Sequence, residues 1–309
     1  MWATPVMNSG KPGILAVKHA PQPPQARLLR LEQEQQAYGT WQHRCMNSIP
    51  PASLDVGPTA EPAESTTRLQ AQAMVLAAGR GERMRPLTDS TPKPLLTVRG
   101  QPLMQWPMQA LARGGFSRQL VNTAWLGEKI SAQFGAQVDW PGLPQVSLAY
   151  SNEGQDFGQA LETAGGIVRA LPQLAEVFWV VAGDVFAPDF VFTQAAVQRF
   201  AASPALAHLW LVPNPTHNQG GDFGLSATGQ VLNLPKGAAG CDHTFSTIAL
   251  YKRAFFADCG LPAGNPQGVA LALAPLLRAA MDRGQVTGEV YAGDWTDVGT
   301  PERLAQLNA

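Results

Sequence analysis

The sequence predicts an α/β fold, a three-layer α/β/α sandwich on a mostly parallel, Rossmann-like central sheet with a small antiparallel lid insertion. Three observations predict it. From residue 73 onward, apolar runs of strand length alternate with helix-length amphipathic stretches. That order gives right-handed crossovers and a parallel sheet. The run Phe178-Trp179-Val180-Val181 is apolar at every position, as in a central strand covered by helices on both faces. Beyond residue 214, turn signals multiply at Asn214-Pro215, Gly220-Gly221 and Thr228-Gly229, as in a compact antiparallel excursion.

Taken in order, residues 73–77 (Ala-Met-Val-Leu-Ala) read as the first buried strand. Further strands are expected at 119–122, 146–150, 177–182 and 209–213, with helices at 103–113, 127–134, 161–171 and 190–201 between them. Short strands at 223–226 and 245–251 would form the lid-like insertion. A helix over 270–283 and strands at 286–290 and 293–296 complete the pattern, before a terminal helix after Thr300.

Residues 1–72 have another character. They hold nine of the 26 prolines, a Gln-rich stretch at 33–36 and little hydrophobic periodicity beyond a short helical pattern at 25–38. Such a segment buries too little apolar area to offset its ordering entropy. A mostly disordered extension is therefore expected ahead of one folded domain over 73–309. Met46 offers an internal start.

Composition excludes several function classes. A formal net charge of −1 and 15% charged residues leave no polyanion-binding surface, so nucleic acid is not an expected partner. Cys45, Cys241 and Cys259 are odd in number and form no CxxC pair, against a disulfide framework or a cysteine zinc site. The longest early apolar run, 13–17, is too short for a signal segment or a membrane span. A cytoplasmic protein is expected, with no membrane association and no protein partner implied. The five histidines form no metal-spaced set.

The chemistry concentrates in four places. The stretch Leu76-Ala-Ala-Gly-Arg-Gly-Glu-Arg-Met-Arg-Pro-Leu-Thr88 takes a buried strand into a loop with Gly79 and Gly81 beside Arg80, Arg83 and Arg85. Glycines let backbone N–H groups approach phosphates, and arginines add bidentate charged contacts. The spacing fits neither the dinucleotide fingerprint nor a Walker A loop. Next, Thr91-Pro-Lys-Pro-Leu95 sets Lys93 on a stiff backbone, suited to hold a phosphate. Asp184 then follows the apolar strand at 177–182, at the carboxyl end where open α/β sheets bind ligands. Finally, Trp295-Thr-Asp-Val-Gly-Thr300 places Asp297 at the end of a late strand. Two carboxylates on one site suit Mg²⁺, which takes a few carboxylates plus phosphate oxygens.

Together these stretches resemble the sugar-phosphate nucleotidyltransferase family, in the order L-A-A-G-x-G-x-R-x-x-P-L-T, P-K-P, G-D and W-x-D-V-G-T. The resemblance spans roughly 73–308. Asn122-Thr-Ala-Trp-Leu-Gly127, Leu161-Glu-Thr-Ala-Gly-Gly-Ile167 and Gly221-Asp-Phe223 look most like its short N-acetylmuramate-1-phosphate uridylyltransferase subgroup. Mannose-1-phosphate guanylyltransferases share much of the pattern.

The resemblance implies that Leu76, Ala77, Ala78, Gly79 and Gly81 wrap the nucleotide, and that Thr163, Gly165 and Gly166 line the base pocket. It implies that Arg83 and Lys93 hold the triphosphate and the sugar phosphate. Asp184 and Asp297 would bind Mg²⁺, and Asn122, Asp222 and Thr247 would lie at the sugar. The partners implied are a nucleoside triphosphate and a sugar 1-phosphate, with pyrophosphate released; a non-catalytic sugar-nucleotide sensor is the alternative of a different class. Two departures stand out. Ala164-Gly165-Gly166 replaces a run of three glycines, and Phe245-Ser-Thr-Ile248 carries Thr247 where the subgroup often has glycine.

Overall fold

The computed structural model describes residues 70–309, so the expected extension lies, apart from its last three residues, outside the described residues. The strands, in chain order, are β1 (Ala71–Ala77), β2 (Thr97–Val98), β3 (Gln101–Pro102), β4 (Arg118–Thr123), β5 (Gln137–Val138), β6 (Val146–Asn152), β7 (Leu174–Ala182), β8 (Val185–Phe186), β9 (Ala207–Pro213), β10 (Gly224–Leu225), β11 (Val231–Leu232), β12 (His243–Lys252), β13 (Val286–Val290) and β14 (Thr296–Asp297). Eight form one sheet in the order β13-β9-β12-β7-β1-β4-β6-β5. Neighbours β7, β1, β4 and β6 run parallel, as do β9 and β13. Only β12 and the edge strand β5 run against their neighbours.

The apolar run in β7 explains the layering. Side chains alternate across a strand, so Phe178 and Val180 enter one core while Trp179 and Val181 enter the other. The first core joins Met74, Leu120 and Tyr251 to Ile167 of helix Glu162–Ala170 and Leu277 of helix Leu273–Asp282. The second joins Val75, Val121 and Trp210 to Leu111 of helix Gln105–Arg113 and Phe200 of helix Gln194–Ala202. Trp179, fully buried, meets Phe192 edge-on at 4.9 Å and Trp210 at 4.7 Å. A smaller core of Met84, Leu96, Val98, Leu103, Phe186 and Val298 ties the arginine-rich stretch to the β8–β14 ladder.

Several boundaries differ from expectation. The stretch 245–251 is not part of the lid insertion. It is the inner part of the ten-residue β12, wedged antiparallel between β7 and β9 with Ile248 to Tyr251 buried. The antiparallel ribbon that remains is β10–β11. The helix expected from 190 begins at Gln194, because the Thr193 hydroxyl accepts the Ala196 N–H at 3.1 Å and caps it. Phe190 and Phe192, just before that cap, pack on Trp179 instead. The last strand moves from 293–296 to β14, where it pairs with β8. No helix among the described residues is long and apolar enough to cross a membrane.

Candidate active site

The carboxyl ends of β1, β4 and β7 open into a cavity of about 770 Å³. Its first wall is the turn after β1. Gly81 caps the 3-10 turn Glu82–Met84 at φ 67°, and a Cβ there would lie 3.1 Å from both Lys93 Cβ and Thr88 Cγ2. The left-handed φ favours glycine there, and a side chain would also crowd Lys93 and Thr88. The Thr88 hydroxyl donates to the Gly81 carbonyl at 2.8 Å, and Arg80 Nη1 donates to the Thr88 carbonyl at 3.0 Å. The Arg80 guanidinium also stacks 3.6 Å over Trp125. Leu76, Ala77, Ala78, Gly79 and Arg80 all face the cavity.

Lys93 follows Pro92 and opens a 3-10 turn. Only 9% exposed, it lines the same cavity and pairs with the Asp184 carboxylate. Asp184 sits just past β7, where the Gly183 N–H donates to the Leu76 carbonyl at 2.8 Å. Sequence-distant Lys93 and Asp184 are thus held together beside the glycine turn. Thr163, Asp222, Thr247 and Asn122 also line the cavity.

Other candidates lie elsewhere. Asp297 does not line the cavity, but it pairs with Val185 in the β8–β14 ladder, and the Val298 N–H donates to the Asp184 carbonyl at 2.9 Å. Its Oδ1 accepts from Arg303, and His217 Nε2, which also meets Arg303 Nη1, lies 2.9 Å from it. Arg83 is exposed and outside the lining. Gly165 and Gly166 are buried, and a Cβ would meet the Val269 carbonyl at 2.7 Å or Glu153 Oε1 at 2.5 Å respectively. Glycine allows close packing there, and neither residue lines the cavity.

The sequence profile of the nucleotidyl transferase family matches residues 72–309. The chain belongs to the nucleotidyl transferase family. It is 45% identical to the N-acetylmuramate alpha-1-phosphate uridylyltransferase of Neisseria meningitidis serogroup B, over 77% of this chain and 97% of that protein. It is 30% identical to the Caulobacter vibrioides protein of the same description, over 74% of this chain and 92% of that one. Among solved structures, a Bacillus anthracis protein assigned as a glucose-1-phosphate thymidylyltransferase, crystallised with sucrose, superposes with a TM-score of 0.60 at 20% identity. It covers 77% of this chain and 93% of its own, and shares the fold.

This nucleotidyltransferase holds its pocket walls together through a relay that the sequence reading missed. The Ala77 N–H donates to Asn122 Oδ1 at 3.0 Å, Asn122 Nδ2 donates to Glu153 Oε1 at 2.7 Å, and Glu153 Oε2 accepts the Leu161 N–H at 2.8 Å. Asn122 is a strut between the glycine turn and the Thr163 segment. Glu153 is fully buried, and that burial raises its pKa against the opposing pull of its hydrogen bonds. The signal was available: Glu153 directly follows a parallel strand, β6, as Asp184 follows β7.

Two residues of the cavity, Glu162 at φ 58° and Thr247, take left-handed backbone, and Thr247 is the β-branched one. It lies at φ 62° within a bulge of β12, between Phe245 and Ile248, and its Oγ1 is buried without a partner among the described residues. A β-branched residue in the left-handed region costs about 1–3 kcal/mol. Thr247→Gly is therefore expected to raise the thermal unfolding midpoint by roughly 2–4 °C, the equivalent of about 1 kcal/mol in a domain of this size. A lowered midpoint in a calorimetric scan would contradict the assignment of strain.

Proposed function

We propose that this nucleotidyltransferase joins UTP to N-acetylmuramate 1-phosphate, forming the UDP-sugar and pyrophosphate, and that it works in the cytoplasm. The observation that carries the reading is the single cavity in which the Leu76–Arg80 turn, Lys93 and Asp184 face Asp222 and Thr247. In this reading the nucleotide lies along the Leu76–Arg80 turn and the sugar at the Asp222–Thr247 end. The choice of base and sugar rests on the two uridylyltransferase relatives, which align over nearly their full lengths.

The chemistry needs no general base, because the attacking sugar-phosphate oxygen is already ionised at neutral pH. Two polyanions must meet in line at the α-phosphorus, so the task is neutralisation and positioning. Lys93 holds a phosphate at the reacting centre, and Arg80 fixes the glycine turn that approaches the nucleotide. Arg83, exposed on its turn and outside the cavity lining, is assigned to the triphosphate by the family pattern alone. The donor set fits Mg²⁺: Asp184 Oδ1 and Asp297 Oδ2 hold no hydrogen bond among the described residues, and both are hard oxygens, Asp184 in the turn just before β8 and Asp297 on β14, which pairs with β8. When bound there, the ion supplies charge neutralisation of the phosphates. The test is a matrix of four nucleoside triphosphates against several sugar 1-phosphates, scored by product mass. Preference for GTP and mannose 1-phosphate would replace this reading with a guanylyltransferase.

A further inference from the structure

Arg278 lies in the wall formed by helix Leu273–Asp282, beside Asp222, Phe223 and Phe245 and away from the glycine turn in sequence and in fold. It is half-buried, and no carboxylate lies within ion-pair distance of it among the described residues. Its partners are neutral. Nη1 donates to Asn233 Oδ1 at 2.6 Å and to the Leu234 carbonyl at 3.3 Å, while Nη2 donates to the Asp222 carbonyl at 3.3 Å. The guanidinium also sits 5.2 Å from the centre of the Phe223 ring. These contacts fix its plane and leave Nε and one hydrogen of Nη2 without a partner among the described residues. Those two atoms make one of the edges on which a guanidinium holds a carboxylate through two parallel hydrogen bonds.

A cation partly withdrawn from water and without a counter-ion is placed to gain from an anion that meets its free edge. The other cations of the cavity are already engaged: Lys93 with Asp184, and Arg80 with Thr88 and Trp125. A sugar 1-phosphate brings one anion, the phosphate, to the Lys93 end. A second anion on the sugar would meet the free Nε–Nη2 edge of Arg278.

We infer that Arg278 is a specificity-determining residue that binds a carboxylate carried on the sugar ring, away from the anomeric phosphate. N-acetylmuramate differs from N-acetylglucosamine by a lactyl ether bearing such a carboxylate. This rests on the assignment of the Asp222–Thr247 end of the cavity to the sugar. Arg278 then separates two sugars that are otherwise alike, because a site built for a charged group rejects the analogue lacking it.

The experiment measures binding of UDP-N-acetylmuramate and UDP-N-acetylglucosamine to the full-length protein by calorimetry, for wild type, Arg278→Gln and Arg278→Lys. Wild type is expected to favour the carboxylated product. In Arg278→Gln that preference should fall about ten- to hundredfold. Arg278→Lys, which keeps the charge and loses the planar fork, should fall between the two. If Arg278 only braces Asn233 and Leu234, both ligands weaken equally in both variants and the ratio stands, which overturns the inference. Unfolding midpoints taken alongside show that each variant is folded. Wild-type turnover of UTP with N-acetylmuramate 1-phosphate is measured separately. Its absence would overturn the proposed reaction, whereas an unchanged binding ratio would overturn the role of Arg278 alone.

Discussion

Lys93→Ala is expected to lower kcat/KM about a thousandfold, roughly 4 kcal/mol of transition-state stabilisation. The reasoning begins with placement. Lys93 is nearly buried, on a 3-10 turn that follows a proline, with its Cβ packed against Gly81 and its ammonium on Asp184. Little side-chain entropy remains to be lost when a phosphate arrives, so its charge is preorganised where negative charge gathers in the transition state. Arginine should restore little of the activity, because its planar fork does not reproduce the compact ammonium that sits on Asp184. Exposed Lys129, substituted the same way, should change the rate less than twofold. Pyrophosphate release under saturating magnesium, with unfolding midpoints as a control for folding, checks both. A loss below tenfold for Lys93→Ala would remove the lysine from the reacting centre.

The layering was legible because it depends on local pattern. The uniformly apolar 178–181 run in β7, the helical periods on either side and the shift in turn density each report their own surroundings. The Lys93–Asp184 pairing was legible at one remove: proline stiffness on one partner and the end of a strand on the other both pointed to a ligand site. What remained hidden depends on relations between distant residues. The stretch 245–251 carries the same alternation whether it lies in a ribbon or in the sheet, and only its pairing with β7 and β9 distinguishes them. Gly165 and Gly166 follow Thr163, yet backbone and the Glu153 carboxylate crowd the space where their side chains would go. Arg83 shares a stretch with the glycine turn but faces outward, because each 3-10 turn sends its residues in different directions. Arg278 and Arg303 carry no local mark, since a charged residue on an amphipathic helix is usually just its solvated face.

Asp184→Asn is expected to raise the Mg²⁺ concentration for half-maximal rate at least tenfold and to lower kcat about a hundredfold. Asparagine keeps the shape and one oxygen but removes the charge. It leaves Lys93 facing an amide and offers the cation a weaker ligand. The carboxylate is 35% exposed, so water can partly solvate the site and folding should survive the change. Asp297→Asn should shift the metal requirement as well, but less, because Asp297 stands outside the cavity with Oδ1 already given to Arg303 and His217. Only its remaining oxygen is free to act. Calorimetric binding of Mn²⁺ in the presence of UTP reads the metal directly, independent of turnover. Three outcomes are distinct. A large shift for Asp184→Asn with a smaller one for Asp297→Asn supports a shared ion with Asp184 as the principal ligand. Equal shifts would mean that the ladder brings both carboxylates equally close to the ion. Unchanged Mn²⁺ affinity in both would show that these carboxylates hold only Lys93 and Arg303, and that the cation is bound by the phosphates alone.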